Sequence, residues 1–451
     1  MTDAKVTRRK KTEKPNTRVP GKVRGAGDKI LLGYSKSACE KRIGFHTRQV
    51  VPEKPKDEWL EGEGHLITIA PTGTGKGRSA LIPNLLTYQG PAIVIDPKGE
   101  ACAVTAKRRR EMGQEVFVID PFNLVTKKTA SLNPFQAFDL KGVEQASVAM
   151  DLATILAGGA SFDSKDRFWD LHGQALLAGV ISATNTIDDE EKRNFGSVRK
   201  RLRNGDAVHE LAVMLDTVGG RLDPFAYEDI ASFLQTTDVT RSGILATTCS
   251  YLTPLASKAA QSTLAKSTID LEAVVRGDPI TIYLVVPPSK LQSHGVLFRL
   301  WTAILMMAVL SRSSRLPKYR TLFAIDEAAQ LGDFELLATA YTLARSYGMR
   351  VWSFFQDMDQ IKRILPKDWR TVLSSSAVVT TFGVANPMMA RSLRELFADF
   401  SEKELIHLPR DEIAVQRSGE DGRRLRKLDY LKDQRFEGLY AKHPMLRGLS
   451  K

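Results

Sequence analysis

Short apolar runs separated by helical patterns occupy two parts of this chain. The runs lie at residues 66–70, 92–96, 115–120, 280–286, 322–326, 351–355 and 378–382. Strands that are buried on both faces of a parallel sheet are continuously apolar, because helices cover the sheet on both sides. The pattern therefore predicts an α/β fold with a doubly wound, mostly parallel sheet.

The middle of the chain, from about residue 145 to 265, has a different pattern. Helical periodicity dominates there, for example at 148–156, 168–183 and 226–234, and β-branched runs are nearly absent. We therefore expect an all-α domain inserted into the α/β core. The apolar run at 300–310 is shorter than the roughly 20 residues that span a bilayer, so we expect it to be a buried helix.

Charge is the compositional feature that changes this picture. The 451 residues include 65 Lys and Arg against 52 Asp and Glu, which gives a formal net charge of +13, and 43% of the residues are hydrophobic. That hydrophobic fraction excludes a chain that is disordered throughout, and the positive excess favours an anionic partner such as nucleic acid or an acidic membrane surface. Residues 1–30 contain ten Lys or Arg and three Asp or Glu, and they show no apolar periodicity. This segment is expected to be a disordered basic arm.

The cysteines indicate the redox compartment. Cys39, Cys102 and Cys249 are widely spaced and form neither a metal-binding pattern nor a disulfide framework. A reducing cytoplasm is therefore expected. The basic amino terminus is not followed by an apolar stretch, so no signal peptide is expected either.

The first candidate site is the glycine-rich turn that follows the apolar run at 66–70. It reads Ala70-Pro71-Thr72-Gly73-Thr74-Gly75-Lys76-Gly77. The glycines let the backbone wrap a polyphosphate, the lysine supplies a charge for the β- and γ-phosphates, and the following helix offers free N–H groups. Compared with the usual phosphate loop, Ala70 replaces the first glycine and Gly77 replaces the hydroxyl residue that ligates Mg²⁺. Ser79 is two residues further along the helix, which makes it a poor substitute for that hydroxyl.

The second candidate site is the end of the apolar run at 322–326, where Asp326 is followed by Glu327. One carboxylate of such a pair holds Mg²⁺, and the other orients the attacking water. Acidic residues also end two other runs, at Asp96 and Asp120, at the edge of a parallel sheet where ligands bind. The phosphate loop and the acidic pair together predict an NTPase that uses ATP and Mg²⁺.

These motifs resemble those of the TraG-type coupling-protein ATPases of conjugative DNA transfer and type IV secretion. Those proteins are RecA-like hexameric motors related to the FtsK and HerA translocases. The resemblance extends from about residue 60 to residue 400, and it includes the glycine after the phosphate-loop lysine. The other blocks that carry it are 94–100 (Val-Ile-Asp-Pro-Lys-Gly-Glu), 118–122 (Val-Ile-Asp-Pro-Phe), 132–134 (Leu-Asn-Pro), 168–169 (Phe-Trp), 281–288 (Thr-Ile-Tyr-Leu-Val-Val-Pro-Pro), 325–328 (Ile-Asp-Glu-Ala) and 352–357 (Trp-Ser-Phe-Phe-Gln-Asp).

The resemblance implies a RecA-like P-loop NTPase fold and a role for individual residues. Lys76 would bind the β- and γ-phosphates, Asp326 would hold Mg²⁺ through water, and Glu327 would polarise the attacking water. Gln356 would sense the γ-phosphate. Arg345 resembles an arginine finger, which a neighbouring subunit supplies and which makes hydrolysis depend on assembly. The residues expected to bind the nucleotide are Thr72, Gly73, Thr74, Gly75, Lys76, Gly77, Arg78 and Asp96.

On this interpretation the chain has five parts, and the inserted domain resembles the cap domain of the family. The parts are a disordered basic arm (1–30), the first part of a RecA-like nucleotide-binding domain (31–144), an inserted all-α domain (145–265), the second part of the nucleotide-binding domain (266–400) and a polar basic C-terminal segment (401–451).

The resemblance also implies partners. We expect a homo-hexamer that grips DNA phosphates without reading sequence, binds relaxase or effector substrates through the all-α domain and feeds a type IV secretion channel. Typical members begin with transmembrane helices, and this sequence shows none. A cytoplasmic protein is therefore expected, held at the inner face of the cell membrane by a membrane-anchoring partner or by the basic arm.

Two alternatives stay open at this point. One is a soluble DNA translocase of the HerA/FtsK type that works in plasmid maintenance or defence. The other is a docking platform that binds ATP without hydrolysing it. Glu327 argues against the platform, because a protein that does not hydrolyse ATP has no use for that carboxylate.

Overall fold

The computed structural model describes residues 26–35, 38–42, 48–52, 55–158, 167–313, 315–384 and 386–442. Most of the predicted basic arm (1–30) lies outside these residues. The strands are β1 (Ile30–Ser35), β2 (Ala38–Arg42), β3 (Arg48–Pro52), β4 (Asp57–Leu60), β5 (His65–Ile69), β6 (Ala92–Ile95), β7 (Glu115–Ile119), β8 (Ile280–Leu284), β9 (Thr321–Ile325), β10 (Met349–Phe355), β11 (Ser376–Thr381), β12 (Glu412–Arg417) and β13 (Arg423–Arg426).

Helices connect and cover these strands. They are α1 (Ile82–Leu85), α2 (Glu100–Glu111), α3 (Gln145–Ala157), α4 (Arg167–Ile187), α5 (Phe195–Arg203), α6 (Ala207–Val218), α7 (Pro224–Gln235), α8 (Asp238–Tyr251), α9 (Lys258–Leu264), α10 (Leu271–Arg276), α11 (Pro288–His294), α12 (Val296–Leu310), α13 (Glu335–Leu343), α14 (Met358–Ile364), α15 (Trp369–Ser374), α16 (Pro387–Arg394) and α17 (Glu402–Ile406). A π-helical turn, Gly77–Leu81, precedes α1.

An eleven-stranded sheet organises the molecule, in the order β4-β1-β13-β12-β11-β5-β10-β9-β6-β8-β7. The seven strands from β11 to β7 pair in parallel, with β5 between β11 and β10. Strands β5, β6, β8, β9 and β10 are buried along their whole length. The prediction of a doubly wound, mostly parallel sheet from continuous apolar runs is therefore confirmed. Because the strands are parallel, the residues that follow β5, β6, β9 and β10 meet at one edge, which we call the carboxyl edge.

The remaining four strands extend the sheet in antiparallel fashion, beyond β11. Two of them, β12 and β13, belong to the segment that the sequence interpretation separates as a polar C-terminal part. In β13 only Leu425 is buried, between the exposed Arg424 and Arg426. So short and basic a strand carries almost no hydrophobic signal, which explains why the pattern does not reveal it.

The region predicted as an inserted all-α domain contains helices α3 to α9, and the described residues from 145 to 265 include no strand. The four-turn helix α12 lies in the core, with Trp301, Ile304 and Leu305 fully buried, as predicted for the run 300–310. No single helix of the described residues is long and apolar enough to cross a membrane. Helices α11 and α12 reach that length and apolarity only as a pair, across a bend of 78°.

Candidate functional site

The phosphate loop leaves the sheet at the carboxyl edge, directly after β5. Gly73 and Gly75 have φ values of +81° and +92°, a region that side chains disfavour, so the turn needs glycine at both positions. The buried Lys76 folds back over the loop, and its Nζ donates a hydrogen bond to the carbonyl of Ala70 at 2.6 Å. The Thr74 hydroxyl donates to the Pro71 carbonyl at 2.8 Å, while Thr72 is exposed. The loop thus has the shape that the sequence predicts.

The acidic pair lies on the same edge, at the end of β9. Glu327 is buried and has φ +54° and ψ +53°, a left-handed conformation that a glutamate adopts at a cost of about 1–2 kcal/mol. Its carboxylate accepts a hydrogen bond from Gln356 Nε2 at 2.8 Å, after β10, and pairs with Lys98 Nζ at 3.3 Å, after β6. Three strand ends therefore meet at one carboxylate, and the backbone strain is offset by these contacts.

Charge keeps this carboxylate ionised. Burial alone would raise the pKa of Glu327, but the Gln356 hydrogen bond and the charges of Lys76 and Lys98 lower it overall. Burial lowers the pKa of Lys76, and the charges of Glu327 and Asp326 act against that shift. A carboxylate that is ionised, held in one orientation and close to a lysine of the phosphate loop is suited to accept a proton from water.

Two other carboxyl groups of this edge have the opposite electrostatics. Burial and the charge of Glu327 raise the pKa of Asp326 to about 6. Burial raises the pKa of Asp96 to about 7; its Oδ2 accepts a hydrogen bond from Cys102 N at 2.8 Å, which lowers it, and the charge of Asp326 adds to the rise. Asp96 therefore caps the amino end of α2. The sequence places it among the nucleotide-binding residues, whereas the structure shows its carboxylate bound to the helix backbone.

The donor set of the edge fits Mg²⁺. Within the described ranges no three His, Cys, Asp or Glu side chains form a metal-binding group. Mg²⁺ commonly takes one or two protein carboxylates and completes its octahedron with water and nucleotide phosphates, so an all-protein cage is not required. Asp326 offers such a carboxylate beside the phosphate loop. Ser79 is buried, with its Oγ 3.6 Å from the position that a Cβ would take at Gly75, so its hydroxyl lies behind the loop.

A part of the site comes from the C-terminal segment and is missed by the sequence interpretation. Arg78, predicted to bind the nucleotide, forms two hydrogen bonds of 2.6 Å with the carboxylate of Asp429. Lys427 Nζ donates to the carbonyl of Thr74 at 3.3 Å and lies over the Phe382 ring. The basic cluster around residue 424 is visible in the sequence, but nothing in the sequence shows that it reaches the phosphate loop.

Arg345 is the predicted site residue that the structure places elsewhere in the subunit. It lies in a short 3₁₀ turn, Ala344–Tyr347, just before β10 begins, and its guanidinium donates to the carbonyl of Ser375 just before β11. That position is the opposite edge of the sheet, which we call the amino edge. Within one subunit Arg345 is therefore remote from Lys76, Asp326, Glu327 and Gln356, which do come together.

Comparison with known proteins agrees with this geometry. A family model described as "Type IV secretory system Conjugative DNA transfer" matches residues 35–397. The type IV secretion system-coupling protein VirD4 of Bartonella quintana (strain Toulouse) is 26% identical over 306 residues, which are 66% of this chain and 47% of that protein. The conjugal transfer protein TraG of Agrobacterium fabrum (strain C58 / ATCC 33970) is 26% identical over 317 residues, 67% of this chain and 45% of that protein. The chain spans about half the length of these curated relatives.

Solved structures show the same fold. The bacterial conjugative coupling protein TrwB, in an unbound form, superposes with a TM-score of 0.64 at 15% identity, over 80% of this chain and 84% of the other. TrwB in complex with ADP and Mg²⁺ gives a TM-score of 0.63 at 16% identity, over 82% and 88% of the two chains. At this identity the likeness establishes the RecA-like α/β fold. The C-terminal contacts with the phosphate loop lie beyond the residues that the family model matches.

Proposed function

Because the chain belongs to the conjugative DNA-transfer family of type IV secretory systems, we propose that it is an ATP-hydrolysing coupling protein. In this role it delivers DNA, or protein bound to DNA, to a type IV secretion channel. Its curated relatives carry the names coupling protein and conjugal transfer protein, and TrwB binds ADP and Mg²⁺ as well as nucleotide analogues.

The arrangement around Glu327 is the observation that supports hydrolysis rather than nucleotide binding alone. Its carboxylate is buried, ionised and held by Gln356 and Lys98 beside the phosphate-loop lysine. Its backbone occupies a strained conformation among the described residues, where Asn123 is the other non-glycine residue with positive φ. Strain of this kind persists at functional sites, where the surrounding structure holds it in place. A protein that only bound ATP would gain nothing from it.

The residues act on the nucleotide as follows. Lys76 exchanges the Ala70 carbonyl for the β- and γ-phosphates, and the N–H groups that follow it bind the same anion. Asp326 holds Mg²⁺ through water, and the bound ion neutralises charge on the phosphates. Glu327 accepts a hydrogen bond from the attacking water and orients it toward the γ-phosphate. Gln356 links this carboxylate to β10, so that phosphate loss changes the position of that strand end.

A ring supplies the remaining charge. Arg345 lies on the amino edge, so it reaches a nucleotide only in a neighbouring subunit. A homo-hexamer in which each Arg345 completes the next site makes hydrolysis depend on assembly. An arginine in this role is worth about 10³- to 10⁵-fold in rate in other NTPases.

DNA and protein partners use other surfaces. The net charge of +13 favours contact with DNA phosphates, without sequence readout. The all-α domain presents large apolar side chains to solvent and is the proposed docking site for relaxase or effector substrates. These side chains are Met150, Phe168, Leu171, Val213, Tyr227 and Val239. We place the protein in the cytoplasm, at the inner face of the membrane, through the channel or an anchoring partner.

Steady-state ATP hydrolysis with and without single- and double-stranded DNA tests this function, with Glu327→Gln beside the unaltered protein. We expect DNA to stimulate hydrolysis and Glu327→Gln to lower kcat by about 10²- to 10⁴-fold while ATP still binds. Glu395→Gln is the matched control, because Glu395 is an exposed glutamate on the same chain. Turnover that survives Glu327→Gln would contradict the role of this carboxylate. ATP binding without turnover in the unaltered protein would favour the docking platform.

A further inference from the structure

The phosphate loop lacks a hydroxyl at Gly77, and the structure shows that no backbone constraint requires this. Unlike Gly73 and Gly75, Gly77 does not have a positive φ. A Cβ at Gly77 would meet its nearest atoms at 3.8 and 4.0 Å, which is ordinary van der Waals contact. A serine therefore fits at this position without strain. The glycine must be explained by what lies opposite to it.

The carboxylate of Glu100 lies opposite Gly77. The two atoms within 4 Å of the Cβ position are Glu100 Oε1 at 3.8 Å and Glu100 Cδ at 4.0 Å. In the usual phosphate loop the hydroxyl that ligates Mg²⁺ is one bond beyond this Cβ. In this chain an oxygen of Glu100 therefore approaches the space that the hydroxyl fills in the usual loop.

The turn after β6 holds Glu100 in this place. Gly99 has φ +66°, and a Cβ there would lie 2.4 Å from Val125 Cγ1, so this turn accepts only glycine. Glu100 then begins α2, whose backbone N–H groups are capped by Asp96. Because Asp96 is used by the helix, Glu100 is the acidic side chain of this turn that faces the phosphate loop. Its charge also acts on Asp326, which places the two carboxyl groups on the same side of the loop.

We propose that Glu100 replaces the phosphate-loop hydroxyl as the second protein ligand for Mg²⁺, together with Asp326. The proposal rests on the nucleotide binding in the proposed function, but not on hydrolysis or DNA transfer. Mg²⁺ prefers carboxylate and water oxygens, so a carboxylate is a suitable substitute. It differs from a hydroxyl in charge. Without the cation, Glu100 repels the triphosphate; with the cation, it binds the Mg²⁺ complex more tightly.

The difference in charge gives a test that does not depend on activity. The affinity for a fluorescent ATP analogue is measured with excess EDTA and with millimolar Mg²⁺. The unaltered protein is expected to bind the analogue much more tightly with Mg²⁺. In Glu100→Gln the EDTA value should stay equal or improve, and the gain from Mg²⁺ should fall by about tenfold or more. The direct cation contact can be checked with Mn²⁺, whose electron spin resonance signal broadens on binding.

A compensating substitution separates ligation from a structural role. Gly77→Ser in the Glu100→Gln background restores the hydroxyl, and it should recover most of the Mg²⁺-dependent gain. Glu272→Gln is the matched control, because Glu272 also lies in the first turn of a helix but far from the loop. It should leave the Mg²⁺ dependence unchanged.

Three results would overturn the proposal. They are an unchanged Mg²⁺ dependence in Glu100→Gln, an equal loss of affinity with and without Mg²⁺, and a double variant that recovers thermal stability but no Mg²⁺ dependence. An Mg²⁺ effect that follows Glu100 in a protein that never hydrolyses ATP would keep this proposal and reject the proposed motor.

Discussion

The two edges of the central sheet both bury charged side chains, but they satisfy them in different ways. At the amino edge, Arg109, Arg312 and Arg350 donate to backbone carbonyls. Arg109, for example, binds the carbonyls of Tyr88 and Gly90 and the hydroxyl of Thr281. At the carboxyl edge the charged groups face one another.

The consequence of this difference is that one edge is complete and the other is not. Burial lowers the pKa of Arg109 and Arg312 to about 10, so both stay charged at neutral pH, and neutral carbonyls satisfy their N–H groups. At the carboxyl edge, two carboxyl groups have raised pKa values because they are buried close to other acids. Buried charge that is fully hydrogen-bonded stabilises a fold, whereas buried charge that repels its neighbours is satisfied by a ligand.

Arg345 is the residue at which this comparison can break, because it belongs to the amino edge and we expect it to act in catalysis. Arg345→Ala should lower kcat by about 10³-fold, since the neighbouring site loses a transition-state charge, while ATP still binds. Mixed rings provide the measurement. Rings that combine Arg345→Ala and Lys76→Ala subunits should regain part of the activity, because some sites then have both groups.

The opposite result has a clear meaning. If mixed rings regain no activity and Arg345→Ala loses only stability, Arg345 serves the Ser375 carbonyl alone. The amino edge would then be structural throughout.

Arg109 sharpens the comparison from the other side. Arg109→Met should lower the free energy of unfolding by about 3 kcal/mol, because the Tyr88 and Gly90 carbonyls lose their charged donor. Urea denaturation measures this change. Arg110→Met is the matched control on the same helix, and because Arg110 is exposed its effect should stay within about 0.5 kcal/mol. A loss of hydrolysis per folded molecule in Arg109→Met would contradict the assignment of this edge to stability.

Asp96 gives the smallest expected effect, and it depends on pH. Its pKa is raised to about 7 in the folded protein, so its contribution to stability is present below about pH 4 and is lost as the pH rises through 7. Asn stays neutral and keeps the acceptor for Cys102 N. Without nucleotide or Mg²⁺, Asp96→Asn should therefore gain on the order of 2 kcal/mol relative to the unaltered protein between pH 5 and pH 8.

The control for this prediction is Asp216→Asn, at an exposed aspartate, which should show a flat difference across the same pH range. Chemical denaturation at each pH gives both values. A flat difference for Asp96→Asn as well would mean that the Asp96 carboxyl is already ionised at pH 5.

The parts of the site that could be predicted are the ones that local sequence determines. A buried strand followed by glycines and a lysine, or by two acids, is visible within ten residues, and parallel pairing then brings β5, β9 and β10 to one edge. Three features escaped because they depend on distant contacts. The left-handed backbone of Glu327 requires Gln356 and Lys98, the cap made by Asp96 requires the turn at Gly99, and β12 and β13 require the sheet on which they pair.

The contact between Arg78 and Asp429 has a consequence for biosynthesis. The two residues are 351 positions apart, so at about 5–20 residues per second the ribosome needs roughly 20 to 70 seconds to reach the second after the first. During that interval the nascent chain has its phosphate loop but not the segment that holds Arg78 and Thr74. The nucleotide site is thus completed near the end of translation, and a chain that terminates early lacks this part of it.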